Sequence, residues 1–367
     1  MDLVNIDQIE REFLVELLNT PSPSGWEGDG QALWMKKAAE YADSVESDAY
    51  GNAWATLKGQ GGPTLMLEAH ADEIGFIVKA VDSKGFLSVG PVGGSDRTLV
   101  PARKIRIFTD NGPVVGVFGN TAIHLRDTEK DKVPEWKDHY VDVGASTEEA
   151  VQKMGIRVGQ PAVYVDTCEV LSGGRLVGRA LDNRIGGFIM LSILKALAAG
   201  PRPIATIVFA NAVQEEIGSY GAHMLAHRIS PDVAVIFDVT HATDTPGIDN
   251  RDHGTVKLGA GPTVSHGMAN HGGVVAGLMS VATYEQIALQ HEAISRSTRT
   301  DVDAVFITKE GIPSALVSIP LRYMHSPTEI VDTKDVDAAC RLVCAYARSL
   351  NSETRFTARG VNTQKLS

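Results

Sequence analysis

The sequence predicts an α/β fold: a mostly parallel sheet flanked by helices and interrupted by a β-rich insert. Three observations carry that expectation. Near-continuous apolar runs at Thr64–Leu67, Ile204–Ala210, Val233–Phe237 and Ala315–Ile319 alternate with helical stretches, the pattern of strands buried on both faces. Between about Gly75 and Val165 the chain instead reads as short strands, GFIVKAV, FLSVG and KIRIF-TDNG-PVVGVFG, the last a hairpin with a glycine turn. Finally, 36 glycines and 16 prolines are spread without a period, which excludes a collagen-like or low-complexity chain and fits many tight turns.

The first element is a helix. Ile6, Ile9, Phe13 and Leu17 recur at helical spacing, with Asn5 and Gln8 resembling a capping box, and Thr20-Pro21-Ser22-Pro23-Ser24-Gly25 ends that helix. A second helix is expected around Gln31–Tyr41, then a buried strand that stops at Ala69-His70. Within the β-rich block, a short helix near Thr147–Met154 is expected to be capped by Ser146, with Glu149 three residues on. After Gly178, Asn183–Ala199 reads as a helix with Pro201 beyond its end, and Val336–Leu350 as a final helix. The expected organisation is a catalytic domain in two parts, residues 1–72 and 165–367, split by an inserted β-rich domain over residues 73–164.

Composition removes several function classes. The 45 acidic against 34 basic residues give a formal charge of −11, which argues against nucleic acid or an anionic membrane as the main partner. A hydrophobic content of 43% with 22% charged residues is that of a globular chain. The start, MDLVNIDQIEREF, lacks the basic and apolar regions of a signal peptide. The longest apolar stretch, Phe188 to Ala199, is broken by Ser192 and Lys195 and is too short to span a bilayer. Cys168, Cys340 and Cys344 cannot form an even disulfide framework, so a cytoplasmic location is expected.

The residues just beyond each apolar strand carry the chemistry. LMLEA runs into His70 and, two residues on, Asp72; IVFANAV into Gln214-Glu215-Glu216; VAVIF into Asp238; ALVSIPLRYM into His325; and Asp182 precedes a helix. In open α/β sheets ligands bind outside the carboxyl ends of the strands, so these residues are placed to converge. Taken singly, each has a bland alternative as a strand-end histidine, a turn acid or a helix cap. Taken together, imidazoles with carboxylates and no nearby cysteine suit zinc, cobalt or manganese. Two histidines and several acids exceed the needs of one catalytic metal, whereas two metals sharing one carboxylate satisfy the count. Such pairs activate a water for hydrolysis, and a further carboxylate must accept its proton.

The motifs EAHADEIGF, GRALDNRIGG, VQEEIGSYGA, VIFDVTHATDTPGI and IPLRYMHSPTEIVD resemble those of the dinuclear metalloaminopeptidases of the tetrahedral and glutamyl aminopeptidase family. Some relatives carry the label endoglucanase or cellulase. The resemblance covers nearly the whole chain in order. It implies a zinc-peptidase α/β domain with an inserted barrel-like dimerisation module, and assembly as dimers or as dodecamers of dimers. It implies that His70, Asp182 and Asp238 hold one metal and Asp182, Glu216 and His325 the other. It also implies that Asp72 orients a ligand imidazole and that Glu215 is the general base. The implied activity is removal of N-terminal residues from peptides with a free amino terminus, dependent on two divalent ions per subunit, zinc or cobalt with manganese as the alternative.

Other readings stay open at this point. A glycosidase needs two carboxyls flanking a bond about 5–10 Å apart and leaves the histidines without a role. A deacylase or carboxypeptidase could use the same metal core, and a non-catalytic metal-binding or assembly protein could descend from such an enzyme. GNTAIHLRD departs from the family pattern, with Ile123 where a proline usually precedes the histidine, which leaves His124 as a plain loop residue. The glycine-rich loop with His266 and His271 fits either a pocket wall or a solvated connection. Thr300–Phe306 and Leu321-Arg322-Tyr323 are expected near the substrate pocket, where Arg322 could meet an acidic substrate or brace the loop before His325.

Overall fold

The computed structural model describes residues 8–126 and 132–358. Two helices open the described chain, α1 (Gln8–Asn19) and α2 (Gly28–Ala38); Asn5 and Ile6 of the expected capping box and first turn lie outside the described residues. Strands β1 (Ser44–Ser47), β2 (Ala53–Leu57) and β3 (Thr64–His70) lead to β4 (Gly75–Val81), β5 (Phe86–Val92), β6 (Lys104–Thr109), β7 (Gly112–Phe118) and β8 (Val141–Asp142). Next come helix α3 (Glu148–Lys153) and strands β9 (Pro161–Tyr164), β10 (Glu169–Leu171) and β11 (Arg175–Gly178). The second half alternates: α4 (Leu181–Ala198), β12 (Thr206–Ala212), α5 (Tyr220–Ile229), β13 (Val233–His241), α6 (Asn250–His253), β14 (Thr263–His266), α7 (Gly272–Tyr284), β15 (Gln290–Ala293), α8 (Val302–Val305), β16 (Ser314–Leu321), β17 (Glu329–Asp332) and α9 (Thr333–Ser349).

The main sheet has eight strands in the order β1-β2-β12-β3-β13-β16-β14-β15. Its centre, β12-β3-β13-β16, is parallel throughout, while β2 joins β12 and β14 joins β16 antiparallel. The parallel centre is apolar on both faces because helices cover both. Leu65, Leu67, Phe209, Phe237 and Val317 turn towards α1, α4 and α9, and Met66, Ala210, Ile236 and Leu316 towards α5 and α8. Each large side chain withdrawn from water here contributes roughly 1.5–3 kcal/mol. Both cysteines of α9, Cys340 and Cys344, are buried in this core.

The β-rich block closes into a six-stranded barrel, β4-β5-β8-β7-β6-β9, around its own core of Phe76, Leu87, Ile105, Ile107, Phe118 and Val141. Strands β6 and β7 form the expected hairpin, with Gly112 at a positive φ in its turn. The cap of α3 differs from expectation. Thr147 Oγ1, not Ser146, accepts the Ala150 N–H at 3.2 Å, because the helix starts one residue later than the Ser/Glu pair indicated. A small sheet of β10, β11 and β17 ties the return from the barrel to the last strand before α9.

Candidate metal centre

The site forms where β3, β12, β13 and β16 end. On β3, Glu68 and His70 alternate with Leu67 and Ala69, so the imidazole leaves the strand on the α5/α8 face. Asp238 occupies the same face of β13. Glu215 and Glu216 lie in the loop after β12, where Gln214 and Ser219 take positive φ values and turn the chain back over the strand end. His325 comes after β16, also at positive φ, next but one to Tyr323, which shares that conformation. Asp182 is not helical although it lies at the start of α4: its φ of −80° and ψ of 108° leave the helix, its side chain stands in the site, and its peptide bond to Asn183 is cis. Asn183 is held there by donating to Phe237 O at 2.7 Å and accepting the Gly186 N–H.

These residues meet as two overlapping clusters. His70, Asp182 and Asp238 form one, and Asp182, Glu216 and His325 the other, with the potential ligand atoms of each within 4.8 Å of one another. Asp182 belongs to both: Oδ1 is 3.2 Å from His70 Nε2, and Oδ2 is 3.3 Å from His325 Nε2. Glu216 Oε2 lies 3.5 Å from His325 Nε2, and Glu215 Oε2 3.8 Å from His70 Nε2. The neighbouring glutamates thus address different imidazoles.

Asp72 organises both sides of the centre. It lies 3.3 Å from His70 Nδ1, and its two oxygens accept the N–H groups of Glu215 and Glu216 at 3.0 and 3.1 Å, with the Ser24 hydroxyl at 2.6 Å. One buried carboxylate therefore orients an imidazole and fixes the loop that carries both glutamates.

The electrostatics are those of acids crowded out of water. Burial, reinforced by the charges of Asp301, Asp238 and Asp182, pushes Glu215 up to about 9. Burial and the charge of Asp182 hold Glu216 well above the ordinary range. Asp238 is raised to about 7, again chiefly by burial. For His325, burial opposes the charged form, but Asp182 and Glu329 outweigh it and raise the imidazole to about 9. Like charges at such density need a counter-charge. Divalent cations fit: two imidazole nitrogens and three carboxylates converge, and the buried Glu216 Oε1 has no hydrogen-bond partner.

Several supporting residues carry little signal in the sequence. Glu329 Oε2 accepts the Asp182 N–H at 3.1 Å and Oε1 the His325 N–H at 2.9 Å. Its place inside the motif that contains His325 is the one local mark it bears. Glu73 pairs with Arg179 and, at 2.6 Å, with Arg184, and accepts the Ser22 N–H, locking the chain after His70 to the start of α4. The barrel also reaches the centre. Gly94 O lies 3.2 Å from His325 Nδ1, and a Cβ on Gly94 would stand only 2.5 Å from that nitrogen. Glu68 and Asp301, both fully buried, face one another behind His70 and Asp238.

Other expected residues sit elsewhere. His124 is exposed in a short 3-10 turn, Ile123–Leu125. His271 caps α7 through the Gly273 N–H, and His266 lies 3.0 Å from His291. Arg322 is engaged by Asp244 through two contacts of 2.9 and 2.8 Å, which favours the bracing role. Val302 and Val305 pack into the core under α5, while Tyr323 is exposed.

The M42 glutamyl aminopeptidase profile matches residues 51–342. The chain belongs to the M42 glutamyl aminopeptidase family. M42 peptidases are metal-dependent, and membership makes this chain a peptidase of aminopeptidase type. The chain is 35% identical over 347 residues to a lysyl aminopeptidase of Pyrococcus furiosus, covering 93% of this chain and 98% of the relative. An aminopeptidase from the archaeon Desulfurococcus kamchatkensis superposes with a TM-score of 0.90 at 34% identity, over 96% of this chain and 98% of that one. A TET peptidase of Pyrococcus horikoshii, which can assemble into a tetrahedron or a large octahedral shell, superposes at 0.83 with 28% identity, over 93% of this M42 chain and 100% of the other. Among the described residues, no helix is long and apolar enough to cross a membrane.

Proposed function

We propose that the protein is a dinuclear metallo-aminopeptidase that removes N-terminal residues from peptides, with Glu215 as general base. The observation that carries this reading is the division of Asp182, one oxygen towards His70 and the other towards His325. His70, Asp182 and Asp238 would hold one ion, and Asp182, Glu216 and His325 the other. Zinc or cobalt best suits two imidazoles with carboxylates, and manganese is accepted by the same set. When bound, the ions supply an acidified water and a Lewis acid for the scissile carbonyl.

The chain's own groups do the rest. Asp72 opposite His70 Nδ1 fixes the tautomer that leaves Nε2 free to ligate. Glu215, 3.8 Å from that nitrogen and in neither ligand cluster, takes a proton from the attacking water and returns it to the departing amine. Its elevated affinity for protons, about 9 without ions, falls towards the working range once cations lie beside it. Three free thiols fit a cytoplasmic location. The barrel is the surface through which self-association as a dimer or dodecamer is proposed, and residues 73–164 are the proposed inserted domain.

The test combines metal analysis with a panel of aminoacyl chromogenic substrates and their N-acetylated forms. Two ions per chain, loss of activity with chelator, recovery on adding metal and a requirement for a free amino group are expected. Cleavage of glycosides insensitive to chelator, or of blocked peptides in preference to free ones, would overturn the assignment.

A further inference from the structure

We propose that Glu292 forms the anionic end of the pocket for the substrate's first side chain, so that the enzyme prefers peptides beginning with lysine or arginine. The inference rests on the aminopeptidase reading and names its substrate class.

The argument starts from β13. Thr240 comes two residues after Asp238, and in a strand residues i and i+2 share a face. Thr240 therefore lies on the same side of the sheet as the proposed ligand, about 7 Å further along the strand towards its carboxyl end. Its hydroxyl donates to Glu292 Oε1 at 2.7 Å. The other carboxylate oxygen, Oε2, accepts from Ser265 Oγ at 3.4 Å. A side chain from the edge strand β15 is thus anchored by hydroxyls of β13 and β14, and its carboxylate is carried in beside Thr240, in the row of residues that includes Asp238.

Glu292 is half-buried, and among the described residues no lysine or arginine pairs with it. The two hydroxyls orient the carboxylate without bringing a cation to it, and a carboxylate held in that way is a ready partner for an ammonium or guanidinium. The alternative preference, for acidic first residues, is weakened at its candidate: the Arg322 guanidinium is already paired with Asp244 through both Nε and Nη2. A lysine carries its ammonium on a flexible four-carbon stem and arginine its guanidinium on a fork that matches a carboxylate. Either can span from a backbone held at the ions to a carboxylate one hydroxyl beyond Thr240.

The experiment measures kcat and KM for lysyl, arginyl, leucyl and glutamyl chromogenic substrates with the metal-loaded protein, Glu292→Gln and Glu292→Lys. The parent is expected to prefer the basic substrates. Glu292→Gln should lower kcat/KM on lysyl and arginyl substrates about 10–100-fold more than on leucyl, chiefly through KM, with two ions still bound. Glu292→Lys should raise the glutamyl-to-lysyl ratio above that of the parent. Equal losses on lysyl and leucyl substrates, or an unchanged ratio, would overturn the role of Glu292 while leaving the aminopeptidase reading intact. A parent that cleaves no free-amino substrate overturns both.

Discussion

Glu329 holds His325 by its backbone and not by its ring: Oε1 accepts the His325 N–H at 2.9 Å, while Oε2 accepts the Asp182 N–H at 3.1 Å. One buried carboxylate therefore sets the spacing between the shared acid and the histidine of the second cluster. Glu329→Gln leaves one N–H facing an amide NH2. We expect metal affinity to fall about 10–100-fold, the usual cost of losing a group that orients ligands, with the fold retained. Titration of the metal-free variant with zinc, alongside circular dichroism, checks it; wild-type affinity would remove Glu329 from the centre's support.

Glu215→Gln tests the proposed base apart from the proposed ligands. Because Glu215 belongs to neither ligand cluster, the variant should still bind two ions while kcat drops about 10²–10⁴-fold. Metal analysis and steady-state kinetics on the same sample read both quantities. Loss of an ion together with activity would instead make Glu215 a ligand.

Gly94→Ala tests the contact between barrel and catalytic sheet. The added methyl would stand 2.5 Å from His325 Nδ1 and 2.7 Å from Cε1, so the ring must move. Weaker binding at one of the two sites is expected, with activity partly restored by excess metal. Neighbouring Gly93→Ala is a harsher change, since φ there is +69° and a methyl also approaches Glu216.

Away from the centre, Asp335 sets a pH dependence of stability. Burial pushes its carboxyl up to about 7 although it accepts the N–H groups of Gly259 and Gly261, both at 2.7 Å. Between the ordinary carboxylate range and about 7 the folded state keeps a proton that the unfolded chain releases. Stability from this group is therefore present at low pH and lost as pH rises through that window. The stability difference between the parent and Asp335→Asn should be larger at pH 5 than at pH 8, read by denaturant unfolding at both. A difference independent of pH would contradict the raised value.

The parallel core is legible because its strands are buried on both faces and so read as unbroken apolar runs, as in Val233–Phe237. The residues after those runs are legible for the same reason: a polar residue that ends a buried strand stands out. Supporting groups are harder to see. Glu73 and Glu329 are acids among other acids, and only the arrival of Arg179, Arg184 and two backbone N–H groups from distant sequence distinguishes them. Glu292 lies on a short edge strand without an apolar run, so nothing local marks it. Asp182 is expected to precede a helix, yet its local backbone adopts neither helix nor strand. The cap of α3 shifts by one residue because Ser146 and Thr147 offer equivalent hydroxyls, and it is Thr147 whose extended backbone stands at the helix entrance.

The order in which the centre's residues occur along the chain bears on how the protein is made. His70 is synthesised before the barrel, Asp182, Glu216 and Asp238 after it, and His325 only as β16 ends, with α9 still to come. A ribosome-bound chain can therefore complete the barrel core long before it can offer a finished cation site. Both clusters share Asp182, so neither can form until the barrel has been translated, and the second waits further for His325.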